Sequence, residues 1–274
     1  MGKFSLRLEI NGKTFGVVQP GICIAIPLNF NGPQPNTYGV APAHAQAYAS
    51  GGWVGDTRQG GSCNFETYTF TPHCNGTHTE CVGHIVDERL RIHEHLQESL
   101  IPATLISVTP CKGADTADDY DPALNPDDLV IDRTMLEAGL KETESDFHEA
   151  IIIRTLPNSE DKKSRDYMQQ TPSFFTMEAM RYLVGLKLRH LLVDMPSVDR
   201  LFDEGKLSAH HIFWNLPAGS HSVGNQPQQN KTITEMIFVP AQIADGKYLL
   251  NLQIAPFMAD AAPSRPVLYA LNPA

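Results

Sequence analysis

The run Ala150-Ile151-Ile152-Ile153-Arg154 is apolar at nearly every position and does not alternate with polar residues. A strand of this kind belongs in a sheet that is covered on both faces. Residues 188–193 repeat the pattern, and between the two runs Thr176 and Glu178 open a helix that continues through Tyr182. Strand, helix and strand at this spacing predict a βαβ unit.

Phe4, Leu6, Leu8 and Ile10 share one side of a strand, and Asn11-Gly12 supplies a hairpin turn into residues 14–18. Residues 22–28 form an apolar strand that ends in a Pro/Gly/Asn loop over 29–39. A helical patch is expected at 42–49, and an alternating strand at 64–70. A helix with apolar Leu90, Leu96 and Leu100 is expected at 86–100. His93 and His95 stand two apart on it and share no face, so both are expected in solvent. Residues 103–109 are β-rich, the acidic run 115–128 reads as a solvated loop, and Asp132 caps a helix over 133–142. Residues 158–170 read as an insertion-like loop. Residues 232–237 and 248–254 are closing strands before a Pro/Ala-rich tail. No internal repeat or long linker is present, so residues 1–274 are expected to form a single α/β domain, a mixed sheet with flanking helices.

The formal net charge is −10, with 42% hydrophobic and 19% charged residues. This balance argues against a nucleic-acid or anionic-membrane partner, which needs clustered Lys and Arg. No apolar run approaches the ~20 residues that cross a bilayer, and the start of the chain alternates where a signal peptide would be apolar. The five cysteines have no disulfide rhythm and read as reduced thiols, which makes a cytoplasmic protein the expectation.

The chemistry concentrates in His73-Cys74-Asn75-Gly76-Thr77-His78-Thr79-Glu80-Cys81-Val82-Gly83-His84. Imidazole, carboxylate and thiolate are the side chains that bind divalent transition metals. In an extended segment His78 and Glu80 point to one side while Thr77 and Thr79 face away. His84 returns to the first side if the segment stays extended. Gly76-Thr77-His78-x-Glu80-x-Val82-x-His84 resembles the His-x-Gly-Thr-His-x-Asp-x-Pro-x-His pattern of the metal-dependent cyclase family, whose best-known members are kynurenine formamidases (arylformamidases). Asp194-Met195-Pro196-Ser197-Val198-Asp199 resembles that family's Asp-x-x-Ser-x-Asp segment.

The resemblance implies a swivelling β/β/α architecture and a metal site that is binuclear in some members. Carried over by position, His78, Glu80, His210 and Glu235 are metal ligands, with His211 as the alternative to His210. The first histidine of the pattern falls on Cys74, with His73 one place earlier, so either can serve. His84 takes the role of acid/base. Aspartate and proline of the pattern are replaced by Glu80 and Val82. The resemblance further implies a divalent metal, zinc first and manganese second, a small-molecule amide, formamide or lactone as substrate, and a homo-oligomer. Two alternatives stand beside this reading. One is a metal-free small-molecule binding protein on the same scaffold. The other is an enzyme that uses Cys81 or Cys74 as nucleophile, and neighbours on a strand seldom have the geometry for that.

Overall fold

The apolar runs become the middle of a large mixed sheet. The computed structural model describes residues 6–224 and 230–273, so Phe4 and part of the polar loop before Thr232 lie outside the described residues. The strands are β1 (Leu6–Ile10), β2 (Lys13–Val17), β3 (His78–Glu80), β4 (Leu100–Val108), β5 (Ala150–Thr155), β6 (His190–Val193), β7 (Thr232–Glu235), β8 (Gly246–Asn251), β9 (Ala261–Pro263) and β10 (Val267–Pro273). They lie side by side in the order β1-β2-β10-β8-β4-β5-β6-β7-β3-β9, and Ile22–Cys23 adds a short eleventh strand against β10. The central four, β4 to β7, are parallel, and every outer pairing is antiparallel. The helices are α1 (Pro72–Asn75), α2 (Ile92–His95), α3 (Arg133–Leu140), α4 (Met177–Gly185) and α5 (Ser208–Phe213).

Because strand side chains alternate, the central strands feed two cores. Ile151, Ile153, Leu191, Val193 and Ile233 pack with Leu136, Met180, Leu183, Phe213 and Trp214 from the α3–α5 layer. Ile152 and Leu192 face the other way, onto Ile24, Ile237, Leu250 and Leu268. Each such fully buried aliphatic side chain contributes on the order of 1.5–3 kcal/mol. The expected βαβ unit is present, with α4 joining the parallel neighbours β5 and β6. The predicted caps form as well. Asp132 Oδ1 accepts from Met135 N at 3.0 Å, and Thr176 Oγ1 accepts from Ala179 N at 3.1 Å. Asn11 and Gly12 both adopt positive φ in the β1–β2 hairpin.

Three expectations fail for reasons that lie outside the local sequence. Residues 42–49 are not helical: His44–Ala47 pairs antiparallel with Glu66–Thr69, and that pairing overrides the alanine-rich helical preference. The helix expected at 86–100 shrinks to the single turn of α2. Distant carbonyls take its amides, with Asp87 N donating to His221 O and Ile92 N to Ala259 O, and Leu100 already begins β4. His95 is buried there and not in solvent, while His93 is half-buried with Nδ1 3.0 Å from Phe257 O. The strand expected at 22–28 shortens to Ile22–Cys23, since Ile26 N donates to the Thr77 hydroxyl instead of to a strand, whereas the C-terminal tail supplies β9 and β10 of the main sheet. Among the described residues no helix is long and apolar enough to cross a membrane.

Candidate metal centre

Strand register assembles the base of the site. In β3, Thr79 points to the far side, where its hydroxyl meets Thr234 Oγ1 at 2.7 Å. Thr77 also faces away, with its hydroxyl donating to Met236 O. His78 and Glu80 therefore point toward the α5 layer, as their spacing predicts. Antiparallel pairing sets Glu235 of β7 directly opposite His78, and His78 Nε2 lies 3.4 Å from Glu235 Oε2. On the other flank Ala261 of β9 pairs with Glu80, and Cys81 N donates to Asp260 O at 3.0 Å, which brings the Asp260 carboxylate to the rim.

Three short pieces complete it. The one-turn helix α1 presents His73, whose Nε2 is 3.1 Å from Asp260 Oδ2 and 3.5 Å from Glu80 Oε2. His84 arrives by a tight turn over Val82–His84, not by a continued strand. Gly83 is required in that turn, since a Cβ there would stand 2.6 Å from Leu90 O. The His84 ring stacks on His73 with centroids 4.5 Å apart, and its Nδ1 is 3.5 Å from Asp260 Oδ2. From α5, His210 Nδ1 donates to Asp199 Oδ2 at 2.5 Å, and Nε2 lies 3.0 Å from Glu80 Oε1. The Trp214 ring, 5.4 Å from His210 between centroids, closes that side.

The electrostatics follow from this packing. Burial pushes the Glu80 carboxyl up, but the charges of His84, His210 and His73 outweigh it, and Glu80 is held below the usual carboxylate range. Burial opposes the charge on His210, yet its hydrogen bonds to Asp199 and Glu80 raise it well above an ordinary histidine. Asp260 is lowered, chiefly by the imidazoles of His73 and His84 that face its carboxylate. Burial first, then the charge of Glu235, pushes the Cys74 thiol up to about 11, so it stays protonated at neutral pH.

The structure gathers most of the residues expected from sequence. Donor atoms of His73, His78 and Glu80, of His73, His84 and Asp260, and of Glu80, His84 and His210 each lie within 4.8 Å of one another. Three buried atoms at this meeting point, His73 Nε2, His78 Nε2 and Glu80 Oε2, make no hydrogen bond. Orphaned lone pairs among four imidazoles and several carboxylates fit a divalent cation. Glu235 flanks this group, with its Oε1 accepting from Val198 N at 3.0 Å.

Cys74 is not brought in. Neighbours on a helical turn face different directions, and α1 turns His73 toward Glu80 instead. His211 also points elsewhere, its ring nitrogens set against Leu207 O and Ser220 O. Asp260 and Asp199 were not among the expected site residues. Asp199 lies in the Asp194–Asp199 segment quoted above, whereas no feature of the tail singles out Asp260.

Comparison with known proteins matches the "Cyclase" family, described as "Putative cyclase", over residues 18–200. A search of curated proteins found no match to this sequence. Among solved structures, a potential metal-dependent hydrolase with cyclase activity aligns at TM-score 0.57 and 17% identity, covering 92% of this chain and 98% of that one. Isatin hydrolase A from Labrenzia aggregata, bound to benzyl benzoate, aligns at TM-score 0.59 and 13% identity, covering 92% and 93%. A predicted metal-dependent hydrolase from Bacillus stearothermophilus aligns at 0.55 and 16%, covering 91% and 98%. The α/β domain with its large mixed sheet thus has the cyclase fold, and the chain belongs to the cyclase family.

Proposed function

We propose that this chain is a metal-dependent hydrolase that opens the C–N or C–O bond of a small amide, formamide or lactone. The observation that carries the reading is the convergence of His73, His78, Glu80, His84, His210 and Asp260, drawn from distant parts of the chain, around orphaned donor atoms. His73, His78, Glu80 and His210 are the residues that would hold the ion, with Glu235 beside His78. A divalent ion held there would lower the pKa of a bound water and polarise a carbonyl. His78 and Glu80 are fixed by β3, and His210 keeps its Nδ1 proton on Asp199 and offers Nε2. His84 is the acid/base: its ring is partly exposed at the rim, and Asp260 faces its Nδ1. It takes a proton from the attacking water and delivers it to the leaving nitrogen or oxygen. Similarity in fold to isatin hydrolases supports cyclic amides as the first substrates to test.

Elemental analysis of protein purified without chelator is expected to find zinc or manganese near stoichiometry. His78→Ala is expected to lose the metal together with turnover of a panel of formamides, cyclic amides and lactones. Full metal content in His78→Ala, or none in the parent protein, refutes the reading, and the latter favours a metal-free binding protein.

A further inference from the structure

Residues 115–128 are rich in aspartate and on sequence alone belong to solvent, yet Tyr120 in their midst is 4% exposed. Its ring packs edge-on against Phe174 at 4.8 Å, and the Arg200 guanidinium lies over it at 5.2 Å. The backbone around it is tied down on both sides. Met177 N donates to Asp119 O at 3.0 Å, Asp119 N to Glu178 Oε2 at 2.7 Å, and Ser208 Oγ to Asp121 O at 2.7 Å. This anchoring delivers one polar atom to the buried interior, the Tyr120 hydroxyl, which donates to Asp199 Oδ1 at 2.6 Å.

Asp199 is 1% exposed and is the carboxylate on which His210 rests. It receives four donors. Tyr120 OH and Ala209 N, each at 2.6 Å, occupy Oδ1, while His210 N at 3.1 Å and His210 Nδ1 at 2.5 Å occupy Oδ2. A carboxylate offers about four lone-pair sites, so this one is saturated and its plane is fixed. The plane of Asp199 in turn orients the His210 ring, whose Nε2 faces Glu80 at the centre of the cluster. The two donors on Oδ2 and the Ala209 amide all come from α5, whereas among the described residues Tyr120 alone donates to the Asp199 carboxylate from outside that helix.

We propose that Tyr120 is a positioning residue of the metal centre, which acts through Asp199 to hold the His210 ring in the orientation that binds a divalent cation. The inference rests on the metal-site reading above. Partners behind a metal-binding histidine commonly govern affinity as well as activity.

The test compares the parent protein with Tyr120→Phe and Glu178→Ala. The first removes only the hydroxyl and keeps the ring packing. The second releases the Asp119 amide beside Tyr120 and leaves the hydroxyl. Zinc affinity is measured by competition with a chromophoric chelator, and the visible absorption of the cobalt-loaded proteins reports the ligand field. Tyr120→Phe is expected to weaken zinc binding by about tenfold and to change the cobalt bands, while Glu178→Ala leaves both as in the parent. Parent-like affinity and spectrum in Tyr120→Phe overturn the inference and leave the metal site standing. Equal losses in both variants overturn it as well, since loop anchoring alone then accounts for the effect. A parent protein that takes up neither ion overturns the metal-site reading, and this inference falls with it.

Discussion

His190 gives a pH dependence of stability that is separate from the candidate site. It begins β6, is fully buried, and directs Nδ1 to Thr232 Oγ1 at 2.8 Å, while its Nε2 is buried without a hydrogen-bond partner. Burial, with help from the neighbouring Arg189 charge, lowers its pKa from 6.5 to about 4. The folded protein therefore resists protonation of this ring, whereas the unfolded chain accepts a proton near 6.5. Between those values the unfolded state binds more protons, so stability falls as pH drops from 6.5 toward 4 and is flat outside that window. The full loss is about 3 kcal/mol at 1.36 kcal/mol per pKa unit, and about 2 kcal/mol of it is reached by pH 5. That is a sizeable share of a typical stability of about 5–15 kcal/mol. Other groups titrate over the same range, so the assay is a difference. Urea unfolding of the parent and of His190→Asn, whose amide stands where Nδ1 stood, is compared at pH 7 and pH 5. The parent is expected to lose about 2 kcal/mol more than the variant on acidification. Parallel losses in the two proteins refute the argument that the buried ring stays neutral.

Three further outcomes follow from the geometry. Asp194 accepts from Lys162 Nζ at 2.8 Å, Thr155 N at 2.9 Å and Thr155 Oγ1 at 2.8 Å in a buried network, so Asp194→Asn is expected to cost about 3–5 kcal/mol in urea unfolding by stranding the lysine charge. Gly83→Ala forces a Cβ against Leu90 O and is expected to cost about 1–3 kcal/mol and to displace His84, read as a lower melting temperature with a lower kcat. His84→Gln is expected to keep its metal content while kcat drops roughly 10²–10⁴-fold, and loss of the metal would make His84 a ligand instead of the acid/base.

The central strands were legible because their message is local. An unbroken apolar run such as Ala150–Ile153 is stable only with both faces covered, and the caps at Asp132 and Thr176 satisfy amides within three residues. The sideward alternation of His78 and Glu80 is equally local, a property of any extended chain. The choices that went astray were those in which a segment had a second option. Residues 42–49 and 86–100 carry helical composition, but distant strands and carbonyls claimed their backbone groups. Cys74 and His73 stood equal on paper, and the direction in which one helical turn faces Glu80 separates them.

By itself the sequence determined that there would be a buried mixed sheet and that β3 would present an imidazole and a carboxylate on one side. Only the tertiary structure decided what meets them there. Cross-strand register carries Asp260 and Glu235 to opposite flanks of β3, and an acidic loop folds inward to set Tyr120 on Asp199. The division has one physical cause. Side-chain alternation is a property of a few consecutive residues, whereas strand pairing is chosen by the free energy of burying the whole core.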